Sequence, residues 1–189
     1  MVERPILDRV SYQIHQSVES YGGSVAREWP IPGTSPTARA DVVVFQGAKP
    51  ATLIEGKAMY TFASIRNGGT NQKFVTRMQS DLSRLRPANL PEVAVYTLML
   101  ATNPRSPIPE SLFSLMKKPK AINSALSKLN GHERLAEFTV DRMSALTAKS
   151  TRAAEGSLDA GEAYGVGVDI LWWLFGPFSA PAHLQIGAV

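Results

Sequence analysis

Two apolar, β-branched runs facing each other across a short turn do most to limit what this chain can fold into. Asp41 to Phe45 (DVVVF) and Thr52 to Phe62 (TLIEGKAMYTF) are separated by a turn, Gln46 to Pro50, which carries Gly47 and Pro50, and by Ala51. Val, Ile, Thr and aromatic side chains suit a pleated, half-buried surface, and so short a connection leaves two strands antiparallel. The segment therefore reads as a β-hairpin.

The flanking sequence places this hairpin in a larger order. Pro5 fits the first turn of a helix, and Leu7, Val10, Ile14, Val18 and Tyr21 recur at spacings of three and four before Gly22-Gly23 closes it. Ser24 to Ile31 reads as a strand ending at Pro32-Gly33. After the break at Asn67-Gly68-Gly69, residues Phe74, Val75, Met78, Leu82 and Leu85 mark a second amphipathic helix that stops before Pro87. Glu92 to Ala101 (EVAVYTLMLA) is nearly continuous in apolar residues, as a central buried strand is. The order to that point is αβββαβ. Beyond it, Pro109 to Leu129 reads as mainly helical, Leu135 to Val140 as a candidate strand, and Thr147 to Gly165 as linker-like because of its small residues. The expected fold class is α/β, with a central mixed sheet flanked by helices and a C-terminal helical or aromatic extension. Residues 1–145 form the main domain in this reading, and residues 146–189 a linker-like segment and apolar extension.

Composition narrows the function classes. A chain of 189 residues is long enough for one sizeable core. It has no cysteine, which excludes disulfide scaffolds, thiolate zinc sites and cysteine nucleophiles. His15, His132 and His183 lie at no metal-ligand spacing. Neither Gly165-Val166-Gly167 nor Gly68-Gly69-Thr70 completes a nucleotide-binding glycine motif. Met1 to Asp8 has no apolar signal core, so a cytoplasmic location is expected. The most apolar stretch, Val166 to Phe178, is interrupted by Gly167, Asp169, Gly176 and Pro177 and falls short of the roughly 20 residues of a spanning helix, so no membrane partner is expected. Its aromatic residues call for burial, in the protein's own core or in a homodimer. Net charge is +4, and the basic excess lies in the first half, where Arg66, Lys73, Arg77, Arg84 and Arg86 face only Asp81 in the same stretch.

The chemistry sits in the hairpin. Asp41 opens one strand and Glu55-Gly56-Lys57 lies in the next, giving Asp, thirteen residues, then Glu-x-Lys. Residues two apart in a strand share a face, so Glu55 and Lys57 point the same way and Asp41 can lie beside Glu55. Two carboxylates from neighbouring strands make a hard oxygen site for Mg²⁺ or Mn²⁺, and an adjacent ammonium suits an attacking water or a phosphate. The three groups are expected to converge in one exposed cleft.

"ADVVVF" followed by "TLIEGKAMY" resembles the PD-(D/E)XK nuclease superfamily, over roughly residues 5 to 102, with Ala40 where a proline often precedes the aspartate. The resemblance implies a restriction-endonuclease-like αβββαβ core, divalent-metal hydrolysis of nucleic acid, metal ligation by Asp41 and Glu55, and a catalytic Lys57. It also implies an acid on the first helix, with Glu19, Asp8 or Glu3 as candidates, and a glutamine or basic residue on the second, with Gln79 or Gln72 as candidates. The phrase "FVTRMQSDL" is similar to one in archaeal Holliday junction resolvases. Lys73, Arg77 and Arg84 form one face of the second helix and are candidate phosphate contacts, with DNA the favoured partner.

Two other classes compete with a nuclease. One is a nucleic-acid-binding module of the same fold without catalysis, which has no need of all three of Asp41, Glu55 and Lys57. The other is an interaction protein that uses the aromatic C-terminal segment. Glu28 reads as a surface charge.

Overall fold

Residues 3–35, 38–65, 70–85, 92–148 and 150–178 are described by a computed structural model, with the side chains at 3–4, 70–71, 81–85 and 163 left aside. The expected hairpin is there: β2 (Arg39–Gln46) pairs antiparallel with β3 (Lys49–Tyr60), from Val42 opposite Ile54 to Gln46 opposite Lys49. Before it, β1 (Gly23–Pro30) pairs antiparallel with β2 and α1 (Glu3–Val18) packs on the sheet. After it, α2 (Thr70–Leu85) crosses over to β4 (Ala94–Pro104), which runs parallel to β3 over nine register pairs. A parallel neighbour needs such a crossover, because the chain must return to the same end of the sheet.

The rest of the chain completes the same sheet. α3 (Pro119–Lys128) and α4 (His132–Leu146) precede a hairpin of β5 (Arg152–Ala163) and β6 (Val166–Phe175). β6 pairs antiparallel with β4, and the six strands run in the order β1-β2-β3-β4-β6-β5. The protein is thus α/β, with a mixed sheet flanked by helices. α1 covers one face through Leu7, against Val42, Ile54, Leu98, Leu100 and Ile170. α2 and α4 cover the other with Val75, Met78 and Met143, against Val43, Leu53, Met99, Trp173 and Phe175. α3 joins Phe62, Ile108 and Leu135 in a smaller cluster.

Three expectations about the second half are corrected. Leu135 to Val140 is helical, inside α4: Leu135, Thr139 and Met143 are buried at spacings of four while Glu133, Glu137 and Asp141 face water. The stretch read as linker is β5, joined to β6 by Tyr164-Gly165 with both φ values positive (56° and 75°), as a two-residue type I′ hairpin turn requires. The C-terminal extension is therefore neither helical nor separate but a hairpin of the one sheet, so residue 145 is no boundary for residues 152–175. Trp173 and Phe175 are buried in the protein's own core. Among the described residues no helix is long and apolar enough to cross a membrane.

Two contacts tie neighbouring elements together. Gly56 lies under Leu7, where a Cβ would come within 2.5 Å of the leucine's methyl. Arg105, just past β4, bonds Asp159 of β5 and Asp169 of β6, at 2.8 and 2.6 Å from Nη2. Arg105 and the Gly161 N–H together lower the Asp159 pKa, the arginine most.

Both contacts predict outcomes. Leu7 is fully buried and cannot swing clear, so Gly56→Ala should destabilise the fold by about 1–3 kcal/mol in denaturant unfolding. Asp159 has a depressed folded pKa, so whatever its contact contributes is present above the ordinary carboxylate pKa and lost as pH falls through the folded value. An NMR titration of Arg105→Gln should show the Asp159 pKa raised relative to wild type, with the Gly161 N–H still holding it down in part.

Candidate functional site

Strand alternation puts Leu53, Glu55, Lys57 and Met59 on the face covered by α2, and Ile54, Gly56 and Ala58 on the face covered by α1. Val43, two residues after Asp41 on β2, is on the α2 face. The β2–β3 ladder stops at Val42 opposite Ile54, one residue short of a pair between Asp41 and Glu55. There the Asp41 carboxylate replaces the ladder: its Oδ2 accepts the Gly56 N–H at 2.7 Å. Asp41 is thus held against the main chain between Glu55 and Lys57. The Lys57 ammonium donates to Glu55 Oε1 at 2.9 Å.

Asp41 bonds the main chain of β3 and Lys57 bonds Glu55, but the open cleft expected around them is not there. Glu55 is only 3% exposed, although the side chain of Lys57 reaches the surface at 20%. A carboxylate taken out of water needs compensation, and Lys57 supplies charge and a hydrogen bond together. Such a pair is seldom the most stable choice at a buried position, since apolar residues of similar volume do as well or better.

Thr97 escaped the reading of the sequence. It lies beside Glu55 in the β3–β4 register and is fully buried, and its Oγ1 has no hydrogen-bond partner among the described residues. The available signal was a hydroxyl in the middle of the apolar run EVAVYTLMLA. Arg27 escaped as well: its Nε donates to the Asp41 carbonyl at 2.6 Å, and its Nη1 pairs with Asp8 on α1.

The remaining candidates divide. Of the first-helix acids, Asp8 reaches the site's surroundings through Arg27, whereas Glu19 does not reach them. Glu19 is exposed beside Gly22, at the end of β1 that pairs with Gln46, five strand positions or roughly 16 Å from Asp41. The Glu3 side chain lies outside the described residues. Gln79 and Gln72 are exposed on α2. Lys73 and Arg77 are exposed one turn apart on the same helix, while the Arg84 side chain lies outside the described residues.

Among the described residues no three His, Asp or Glu side chains group as a metal centre. The donors present are two carboxylates and the Thr97 hydroxyl. That set suits Mg²⁺ or Mn²⁺, ions that need only one or two carboxylates and complete their shells with water and substrate oxygens. An unsatisfied buried hydroxyl next to a carboxylate is a fitting partner for such a water. Compared with known proteins, the chain matches no protein-family model, no curated protein and no solved structure.

The Glu55–Lys57 pair can be tested apart from any activity. Lys57→Met should cost about 2–4 kcal/mol of stability, and the double variant Glu55→Leu/Lys57→Met should recover most of it. Additive losses in the double-mutant cycle would mean that the pair is not coupled.

Proposed function

We propose that this protein is a metal-dependent nuclease that hydrolyses phosphodiester bonds, with DNA as the favoured substrate. One observation carries the proposal: Asp41 is fastened to the Gly56 N–H, between a buried Glu55 and the Lys57 bonded to it, where the β2–β3 ladder ends. The order α1-β1-β2-β3-α2-β4, with β4 parallel to β3, supports a restriction-endonuclease-like core.

Asp41 and Glu55 would hold a Mg²⁺ or Mn²⁺ ion, which when bound polarises a phosphate oxygen and lowers the pKa of a water. Lys57 brings a positive charge to the same face of β3, where it can neutralise the scissile phosphate or hold the attacking water. Thr97 offers a buried hydroxyl to orient that water. Lys73 and Arg77 project from the outer side of the helix that covers this face, placed to take backbone phosphates without reading sequence.

The near-complete burial of Glu55 and its direct ion pair with Lys57 favour one second reading, a binding module in which the pair is structural. Cleavage assays separate the two. DNA and RNA duplexes, single strands and junctions should be tested with Mg²⁺, Mn²⁺ or chelator. Metal-dependent cleavage that is lost in Asp41→Ala and in Glu55→Gln supports the nuclease. Salt-sensitive binding without cleavage under any of these conditions supports the module. For either, Lys73→Ala/Arg77→Ala should flatten the dependence of log K on log salt by about one unit per lost contact.

A further inference from the structure

The hydrogen bonding of the sheet fails on both sides of Asp41. Towards β3 the ladder ends at Val42. Towards β1 the register runs through Arg27 opposite Val42, skips Glu28 opposite Asp41, and resumes at Trp29 opposite Ala40. Glu28 causes the gap: its φ is 51°, a left-handed conformation in mid-strand that costs a non-glycine residue roughly 1–2 kcal/mol. The kink is held open, because Arg39 Nη1 donates to the Glu28 carbonyl at 2.8 Å. Strain that is kept in place directly opposite a candidate metal ligand calls for a reason.

That reason is the Arg27 side chain. In a regular strand pair, cross-strand amides and carbonyls would fix Asp41 rigidly in the ladder, with its carboxylate free. Here the Asp41 carbonyl is taken by Arg27 Nε at 2.6 Å and the carboxylate by the Gly56 N–H. Arg27 lies mostly buried on the α1 face, its side chain 20% exposed, and its other end is paired with Asp8. Glu55 and Lys57 are on the opposite face, so Arg27 touches the back of Asp41 without entering the site.

We infer that Arg27 is a positioning residue for Asp41, which sets the carboxylate onto Gly56 and is itself oriented by Asp8 from α1. The inference rests on the reading of Asp41 as a metal ligand, and it accounts for the first-helix acid: Asp8 acts through an arginine and not on the ion. An arginine is needed because one planar guanidinium must face a carbonyl and a carboxylate at once, which a lysine ammonium on a flexible stem cannot do with equal geometry.

The test uses the full chain with Arg27→Lys, Arg27→Met and Asp8→Asn. Amide hydrogen exchange of Gly56 in metal-free protein reports directly on the Asp41 carboxylate, with the Val43 and Met99 amides as references for general loosening. Arg27→Lys keeps a charge for Asp8 but removes the donor to the Asp41 carbonyl, and should speed Gly56 exchange roughly tenfold relative to the references. Arg27→Met should do the same, and Asp8→Asn should act in the same direction more weakly. Calorimetric Mn²⁺ affinity should fall about 10–100-fold in both Arg27 variants, as for other groups that orient a ligand. Gly56 exchange in Arg27→Lys that matches wild type, or rises only in step with the references, overturns the inference and leaves Arg27 as a tie between α1 and β1. An Asp8→Asn variant indistinguishable from wild type overturns the link to α1. Wild-type protein that binds no Mn²⁺ overturns the nuclease reading instead, and Gly56 exchange then still decides the role of Arg27.

Discussion

β3 is held by β4 along the whole stretch that matters, with Glu55 beside Thr97 and Lys57 beside Met99, and that parallel ladder is what lets β2 leave. Once β4 secures the main chain of β3, the strand does not need β2 beyond Ile54, and the freed Gly56 N–H becomes available to a side chain. The Asp41 carboxylate fills that vacancy. The same ladder carries Glu55 into a buried row that continues through Thr97 to Phe175 on β6, which explains both its low exposure and its dependence on Lys57. A charged pair in so central a strand is tolerated because the strand does not rely on it for its own hydrogen bonding.

How much of this could be read from the chain depends on the range over which each feature is encoded. The hairpin, both early helices and the apolar β4 are local patterns of period 2 or 3.6, and they stand where the pattern puts them. The shared face of Glu55 and Lys57 is equally local. The β5 strand was hidden because nearly all of it faces water and so carries no alternation, and because its Gly and Ala residues resemble a linker. Its pairing is written in β6, whose large side chains cover the core in its place. Leu135 to Val140 looked extended through Phe138, Thr139 and Val140, but burial of Leu135, Thr139 and Met143 along one face of α4 outweighed that weak preference.

The candidate site divides along the same line. Asp41, Glu55 and Lys57 needed only the geometry of a hairpin. Arg27 and Thr97 needed the register of β1 on β2 and of β3 on β4, which no single strand encodes. Glu19 was set too close because a periodic pattern gives the buried stripe of a helix but not which of its ends lies over which end of the sheet. The same missing register explains why Asp8, the acid of α1 that meets Arg27, could not be distinguished in advance.

The contact between Gly56 and Leu7 ties the variable position of the Glu-x-Lys triplet to the first helix. In this architecture positions 7 and 56 share one volume, so a larger residue between the two charged groups requires a smaller one on α1, or a helix lifted from the sheet. Since Asp8 follows Leu7, lifting the helix also moves the carboxylate that meets Arg27. Anyone wishing to graft or redesign this site should therefore move it together with its helix, as one block whose two halves vary in compensating pairs.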